Sequence, residues 1–241
     1  MFVSDELKEL FKRRAAAVYP NELVMAVWEY GGAEFWEGSP EYYALSIKCC
    51  SPGMRCLIHS HPDGPDHPSE RDMQAQIALD VPFGLCVSTA DGCTEPWYWG
   101  EGITAPLEGR AFRHGPTGTD GRGDCYALIR DWYASKGLYL DDVPRSDEWW
   151  MNGKDYYSEL LGAWGFKEIP AAEAREGDLL MFQLPRSPVC NHGAVLLDGE
   201  LILHHLSGRL STIEPLGRWR PYLRKAARHA AYGKTHRAVG P

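Results

Sequence analysis

Residues 59–72 read HSHPDGPDHPSERD and carry side chains of the types that bind transition metals. His59 and His61 lie two residues apart at the end of a strand-like run, so both side chains project from one face of the strand. Asp72 follows in the first turn of the next predicted helix. Two imidazoles and one carboxylate leave the fourth position of a zinc site open for water, which is typical of catalytic zinc. We expect Glu22, in the segment PNELVMAV, to take a proton from that water.

Cys125 is a second group whose position predicts chemistry. It follows the capping residue Asp124 at the start of a predicted helix, where backbone N–H groups and the helix dipole favour a thiolate. His192 begins a strand downstream and is the candidate base. His204 or His205, on the next strand, would orient the His192 ring. A buried and unreactive cysteine is the alternative that these residues leave open.

The metal-binding pattern resembles the motif of the JAMM metallopeptidases, in which HSHP is followed by a serine seven residues on and an aspartate three residues later. The resemblance implies that His59, His61 and Asp72 bind zinc, which is the expected cofactor. It also implies that Glu22 is the general acid/base and that Ser69 helps to stabilise the tetrahedral oxyanion. Without the resemblance, Ser69 and Asp72 also fit a helix-capping pair, and the two histidines fit a solvated loop.

The second pattern resembles the NlpC-type cell-wall cysteine peptidases, which are papain-like. It consists of GDCYALIRDWY followed far downstream by NHGAVLLDGELILHH. The resemblance implies that Cys125 is the nucleophile, His192 the base and His204 the orienting group. In that family a tyrosine upstream of the cysteine often contributes to the oxyanion hole. The comparable stretch here reads FRHG, which makes His114 the substitute at that position.

The choice between His204 and His205 depends on the hairpin at Asp198-Gly199. A two-residue loop would place His205 opposite His192. A three-residue loop with a Gly bulge would pair His192 directly with His204. The twelve-residue spacing of the NlpC-type pattern favours the second arrangement.

Helices and strands that would position these groups follow from apolar periodicity and capping residues. The predicted elements of the first half are a helix over 4–18, strands over 22–28, 42–48 and 55–59, a helix from Ser69 to about Asp80, and strands over 83–89 and 97–99. Those of the second half are a helix from Asp124 to Gly137, a helical stretch near 154–163, and strands over 178–184, 192–197 and 201–206. The basic stretch from Arg218 onward fits a solvated helix, with a docking surface as the alternative.

The fold class expected from this order is α+β with two domains. Residues 1–103 would form a JAMM-like, cytidine-deaminase-like α/β sandwich, and residues 124–235 a papain-like domain with a helix and an antiparallel sheet. The Gly- and Pro-rich segment 104–123 would be a linker between them.

Composition narrows the classes of function. The 241 residues carry a net charge of −8, which argues against nucleic acid as a partner. No apolar run approaches the length of a membrane span, and the N-terminal residues lack the order of a signal peptide, so we expect synthesis in the cytoplasm. The seven scattered cysteines do not form a disulfide framework.

The order of the two motifs resembles that in tail-tip assembly proteins of lambda-like siphophages. This resemblance implies a location at the virion tail tip, with other phage tail-tip proteins and host cell-wall peptidoglycan as partners. The activity implied is hydrolysis of peptide bonds in peptidoglycan stems during tail penetration, beside a zinc isopeptidase-like site. The alternative is a structural tail-tip docking protein in which one or both sites are inactive.

Overall fold

A computed structural model describes residues 2–38, 53–100 and 102–232 of the chain. These residues fall into two compact units. The first unit comprises Met1–Thr104 and Gly118–Asp120, and the second comprises Ala105–Thr117 and Gly121–Pro241. In the described ranges, no helix has both the length and the apolar character needed to cross a bilayer.

The first unit is built on one mixed sheet with a helix on each face. Its elements are α1 (Asp5–Val18), β1 (Leu23–Trp28), β2 (Ala33–Glu37), β3 (Met54–Pro62), α2 (Glu70–Leu79), β4 (Phe83–Thr89), β5 (Gly92–Cys93) and β6 (Trp97–Trp99). The strand order is β2-β1-β3-β4-β5, with β6 also paired to β4. Strands β3 and β4 are parallel, and the other pairs are antiparallel.

Alternation along β3 divides the apolar residues between the two faces of this sheet. Ile58 packs with Phe11 of α1 on one face. Leu57 packs on the other face, against which Leu79 of α2 lies. His59 and His61 continue the Leu57 side of the alternation, so the end of β3 presents both imidazoles to the face that carries α2.

The second unit contains one antiparallel sheet of strand order β11-β10-β9-β8-β12-β7. Its elements are α3 (Cys125–Ala134), α4 (Tyr156–Leu160), β7 (Phe166–Ile169), β8 (Leu179–Phe182), β9 (His192–Leu197), β10 (Leu201–His204), β11 (Thr212–Pro215) and β12 (Leu223–His229). Leu128 and Ile129 of α3 pack on the sheet face formed by Val195 and Leu203. Ala194 and Trp219 belong to the cluster on the opposite face.

Most predicted elements are present within a few residues of their expected bounds. The exceptions are the C-terminal helix and the linker over 104–123, which are described below. The predicted strand over 42–48 lies outside the described residues. The basic stretch from Arg218 onward begins in a short 3-10 helix, Leu216–Tyr222, and continues as strand β12, so the single solvated helix predicted for it is wrong. Ala226 and Ala227 of this strand are fully buried. Arg224 of the same strand is exposed, and Arg228, which is partly buried, is ion-paired with Asp178 at 2.7 Å.

The segment 104–123 is not a linker over most of its length, because residues 105–117 and 121–123 belong to the second unit. The buried Arg110 guanidinium donates to Asp131 of α3 at 2.6 Å. Gly115 N–H donates to the Asp124 carboxylate at 3.0 Å, and Asp124 N–H donates to the Gly115 carbonyl at 3.1 Å. The glycines and prolines therefore shape a chain segment that bonds to the start of α3.

Candidate functional site

Three side chains of types that can bind a metal ion converge at the end of β3 in the first unit. Nε2 of His59 and Nε2 of His61 lie 3.2 Å apart. The Asp72 carboxylate oxygens lie 3.5 Å from His59 Nε2 and 3.4 Å from His61 Nε2. All three residues are buried, and one ligand atom from each lies within 4.8 Å of the others. The three residues predicted from the sequence as metal ligands are thus brought together.

The spacing and chemistry of this cluster fit a tetrahedral zinc ion. Ligand atoms at zinc–nitrogen and zinc–oxygen distances in a tetrahedron lie about 3.3 Å from one another, close to the separations between the His and Asp atoms. His61 Nδ1 lies 2.9 Å from the Pro65 carbonyl oxygen, to which it donates when protonated. That bond leaves Nε2 of His61 as the lone-pair nitrogen facing the cluster. The donor set of two nitrogens and a carboxylate also matches catalytic zinc sites.

Ser69 and Asp72 hold the start of α2 by reciprocal hydrogen bonds. Ser69 N–H donates to the Asp72 carboxylate at 2.7 Å, and Asp72 N–H donates to Ser69 Oγ at 3.2 Å. This is a capping box, and it fixes the Asp72 carboxylate in the orientation in which it faces the histidines. Ser69 therefore has a structural contact in addition to the oxyanion role that the sequence predicts for it.

Glu22 lies immediately before β1, beside the same cluster. The backbone N–H of the next residue, Leu23, donates to Ser60 Oγ on β3 at 3.0 Å, which aligns the end of β1 with the end of β3. Glu22 is 5% exposed, and its Oε1 has no hydrogen-bond partner among the described residues. Burial raises the pKa of Glu22, although the nearby imidazoles of His59 and His61 oppose that rise. A buried carboxyl with an unused oxygen is suited to exchange a proton with a bound water.

The charges within the cluster are balanced by mutual pairing. Burial alone would raise the pKa of Asp72, but His59 and His61 hold it well below its usual range. Burial likewise opposes protonation of His59, but the Asp72 carboxylate outweighs burial and raises the pKa of His59. Without a cation, this carboxylate draws a proton onto an imidazole, and a bound metal ion would take that proton's place.

In the second unit, Cys125 is the first residue of α3 and is partly buried. Its sulfur forms a hydrogen bond with Tyr157 Oη at 3.5 Å. The backbone N–H of Gly193 also faces the sulfur. The capping carboxylate of Asp124 accepts from Ala127 N–H at 2.9 Å and from Arg145 Nε at 2.7 Å. The start of α3 is thus held by a buried ion pair, with the thiol next to the first residues of β9.

The expectation of a thiolate at this helix start is not met in the resting protein. Burial and the neighbouring Asp124 carboxylate raise the pKa of Cys125 to about 11, whereas the bonds from Tyr157 and Gly193 oppose the rise. The favourable effect of the helix N terminus is therefore outweighed by desolvation and by a negative charge on the preceding residue. Cys125 is a neutral thiol near pH 7.

His192 and His204 are joined directly, with His192 Nε2 lying 3.0 Å from His204 Nδ1. Burial lowers the pKa of His192 to about 3, and the neighbouring His204 and His205 act in the same direction. His192 is therefore a neutral imidazole near pH 7. In the described part of the chain, no hydrogen bond joins the Cys125 sulfur to the His192 ring.

The hairpin between β9 and β10 has the expected odd-length loop but not the expected pairing. Leu197 pairs with Leu201 across Asp198–Glu200, so His204 lies opposite Ala194 rather than opposite His192. His192 is two residues before Ala194 and therefore shares the His204 face, as a diagonal neighbour. The His205 ring contacts Phe112 with 5.2 Å between ring centroids. The predicted direct pairing of His192 with His204 was wrong, because the partner of His204 lies two residues further along β9. Their position on a common face was predicted correctly.

Two polar groups at this site were not predicted from the sequence. Tyr157 reaches the Cys125 sulfur from α4, 32 residues downstream. Oε1 of Glu214, on β11, lies within hydrogen-bonding distance of His204 Nε2, at 2.7 Å. Neither residue belongs to a local motif, and each becomes visible only when α4 and β11 are placed beside α3 and β10. A weak signal for Glu214 is its position on the TIEP strand next to the histidine-bearing strand.

His114, the substitute proposed for the family's tyrosine, lies beside the cap of α3. Its Nε2 is 3.0 Å from the Arg145 carbonyl oxygen, and its Nδ1 is 3.9 Å from the Asp124 carboxylate. Burial lowers the pKa of His114. His114 thus contacts Arg145 and Asp124, which support the helix start, whereas Tyr157 contacts the sulfur itself.

The sequence profile of the NlpC/P60 family matches residues 109–228, so the second unit contains an NlpC/P60 domain. The chain is 36% identical over 179 residues to tail tip assembly protein K of Escherichia phage lambda, covering 73% of this chain and 82% of that protein. It is 30% identical over 193 residues to tail tip assembly protein K of Escherichia phage N15, covering 76% of this chain and 72% of that protein. The chain belongs to the tail tip assembly protein K family.

Among solved structures, the chain is similar to an NLP/P60-family protein from Staphylococcus aureus. The sequence identity is 23% and the TM-score is 0.37. The similarity covers 51% of this chain and 37% of that chain.

Proposed function

We propose that the NlpC/P60 domain is a cysteine peptidase that cleaves peptide bonds in the stems of host peptidoglycan during tail penetration. The observation that carries the proposal is the position of Cys125, at the start of α3 and beside Gly193, the residue after His192. A nucleophile at a helix start and a neutral imidazole at a strand start are the groups that acyl transfer needs. The NlpC/P60 family match supports cysteine peptidase or amidase chemistry.

The reaction divides into acylation and hydrolysis. In acylation, Cys125 Sγ loses its proton to His192 and forms a bond to the carbonyl carbon, and the C–N bond then breaks as the amine takes that proton. Water, deprotonated by His192, next attacks the thioester, releases the acid and restores the thiol. His204 holds the His192 ring by the 3.0 Å bond to Nε2, which leaves Nδ1 for these transfers. Hydrogen bonds of this kind often tighten only when substrate is bound.

Digestion of purified peptidoglycan, with the muropeptides analysed by mass spectrometry, tests this proposal. Wild-type protein should release fragments cut within the stem peptide. Cys125→Ala should lower the rate by roughly 10³-fold or more while leaving the fold intact. Cys93→Ala, which changes a partly buried cysteine of the first unit, is the matched control and should retain activity. Cleavage by Cys125→Ala at the wild-type rate would exclude the thiol mechanism.

We further propose that the chain acts at the virion tail tip with other tail-tip proteins as partners. Support comes from the two relatives named tail tip assembly protein K. Mass spectrometry of purified virions should detect the chain, and proteins cross-linked to it should include other tail-tip components. Its absence from both virions and tail-assembly intermediates would contradict this location.

A structural tail-tip docking protein with silent sites is the second candidate function. The observation that favours it is the neutral resting thiol, whose pKa burial raises to about 11. The peptidoglycan digest separates the two candidates, because only a peptidase produces new stem-peptide ends. Association with virions is expected for both.

For the first unit we propose a JAMM-type zinc metallopeptidase site, isopeptidase-like in its chemistry. His59, His61 and Asp72 would hold the ion, as their 3.2–3.5 Å separations support. When bound, zinc supplies Lewis-acid polarisation of a carbonyl oxygen or of water. Glu22 would carry the proton, and Ser69, besides orienting Asp72, would stabilise the oxyanion.

Metal analysis of the purified chain tests the zinc proposal. We expect about one zinc per chain after reconstitution. His61→Ala should lose the metal because it removes one of three donors, whereas His67→Ala, a change in the adjacent loop, should keep it. Failure of reconstituted wild-type protein to retain zinc would contradict the proposal.

A further inference from the structure

Glu214 extends the row formed by His192 and His204 to a third strand. Ile202 of β10 lies opposite Glu214 of β11, and His204 lies two residues after Ile202, so Glu214 and His204 share one face of the sheet. His204 Nε2 is 2.7 Å from Glu214 Oε1. We propose that Glu214 is a positioning residue that fixes the tautomers of His204 and His192 and so keeps Nδ1 of His192 unprotonated. The inference rests on the proposed cysteine peptidase function.

The surroundings of Glu214 favour an ionised carboxylate. Its side chain is only 12% exposed, and it accepts from Trp219 Nε1 at 3.1 Å. Its other oxygen pairs with Arg218 at 3.1 Å, and Arg209 lies 3.5 Å from Oε1. All of these partners are donors. An ionised carboxylate accepts hydrogen bonds and donates none, so the shared proton between Glu214 and His204 belongs to His204 Nε2.

The tautomer of each histidine follows from that single assignment. A neutral imidazole carries one N–H, so protonation of His204 Nε2 makes Nδ1 an acceptor. His192 Nε2 lies 3.0 Å from that acceptor and must therefore be the donor. His192 then has its lone pair on Nδ1. The carboxylate thus selects, through two hydrogen bonds, which nitrogen of His192 can receive the Cys125 proton.

This role differs from simple support of the fold, because it predicts the location of two protons. Without the carboxylate, His204 can carry its proton on Nδ1 and donate to His192 Nε2. His192 would then hold its own proton on Nδ1, where it blocks transfer from the thiol. In Ser-His-Asp triads, replacing the orienting carboxylate slows catalysis because the histidine then adopts the wrong tautomer.

Long-range ¹H–¹⁵N correlation spectra of the full chain labelled with ¹⁵N-histidine test the inference directly. In wild-type protein at neutral pH, both His192 and His204 should carry their proton on Nε2. Glu214→Gln, which offers an amide N–H to His204, should move a measurable fraction of both protons to Nδ1. Glu214→Asp should retain the wild-type tautomers. Glu200→Gln, which removes a surface ion pair with Arg220, is the matched control and should change neither histidine.

Kinetics on soluble muropeptides provide a second readout. We expect kcat to fall roughly 10- to 100-fold in Glu214→Gln, with little change in KM. A loss of this size does not exceed what general acid–base catalysis typically contributes to a rate. Glu214→Asp should recover part of that loss. If wild-type protein cleaves no muropeptide, the peptidase proposal fails, while the spectra still decide the tautomers.

A proton on Nδ1 of His192 in wild-type protein would overturn the inference, and this result does not depend on any variant folding. Unchanged tautomers in a folded Glu214→Gln protein would also overturn it, whether or not activity falls. If Glu214→Gln does not fold, the wild-type and Glu214→Asp spectra decide: Nε2 protons in both support the inference, and Nδ1 protons in either contradict it.

Discussion

Tyr157 Oη lies 3.5 Å from Cys125 Sγ, although α4 and α3 are separate elements of the chain. The Tyr157 side chain is buried, and burial raises its pKa well above the ordinary value. The phenol therefore remains a hydrogen-bond donor at every pH at which the thiol would react. A Cβ atom at Gly193 would lie 2.6 Å from Tyr157 Oη, so the strand passes very close to this hydroxyl. The tyrosine is held where it can stabilise negative charge on sulfur.

Tyr157→Phe should make Cys125 harder to ionise. A hydrogen bond to a charged group contributes roughly 1.5–3 kcal/mol, so its loss should slow thioester formation by about tenfold or more. Iodoacetamide alkylation of Cys125, measured by mass spectrometry as a function of pH, should shift to higher pH in the variant. Tyr139→Phe, at a residue that is 85% exposed, is the control. An alkylation profile identical to wild type would mean that Tyr157 does not stabilise the thiolate.

Local patterns predicted most of the elements and the principal candidate residues. The HxH alternation was predicted to place two imidazoles on one face, and the Ser69–Asp72 spacing was noted as an alternative fit to a helix-capping pair, because both features depend on neighbours within a few residues. The family spacing likewise favoured His204 over His205. These features are set by short-range geometry, which a single sequence displays.

Features that depend on long-range packing were not predicted. Tyr157 and Glu214 enter the cysteine site from elements that carry no motif of their own. The ionisation state of Cys125 depends on how much water its surroundings exclude, which a helix start does not reveal. Strand β12 was missed because its burial is provided by two alanines within a basic segment. Each of these properties arises from tertiary structure rather than from residue spacing.

If the first unit is the zinc hydrolase that we propose, Glu22→Gln should keep the zinc ion and lose hydrolytic activity. Glu22 is beside the cluster but has an unbonded Oε1, as expected of a proton carrier rather than a ligand. An amide of the same size preserves packing but cannot accept and return a proton. Zinc content measured by atomic absorption should match wild type, whereas cleavage of isopeptide-linked substrates should fall by roughly 10²-fold or more. Loss of zinc from the variant would instead make Glu22 a ligand.

His204→Ala and His205→Ala should separate orientation from stability. His204 bonds to His192, so its removal should lower kcat on stem peptides by roughly 10- to 100-fold. His205 packs against Phe112 and is 1% exposed, so its removal should act mainly by lowering the thermal unfolding midpoint. Kinetics and thermal unfolding of both purified variants provide the comparison. A larger kinetic loss in His205→Ala would assign the orienting role to the other histidine.

Acidification should destabilise the second unit through its buried neutral histidine at position 192. Burial lowers the pKa of His192 to about 3 in the folded chain, below the ordinary value of 6.5. Between these two values the unfolded chain binds more protons, so the free energy of unfolding falls as the pH decreases from about 6.5 towards about 3. One group contributes a slope of at most about 1.4 kcal/mol per pH unit in this window.

His192→Gln removes this titration while keeping a polar side chain, and its stability should therefore depend less steeply on pH between about 6.5 and about 3. Hydrogen exchange of the full chain, measured in peptides from β9 and β10 at each pH, reports the local free energy of unfolding. His67→Gln, in a loop of the first unit, should retain the wild-type slope in those peptides. An equal slope in the His192→Gln and wild-type proteins would show that His192 does not stay neutral in the folded chain.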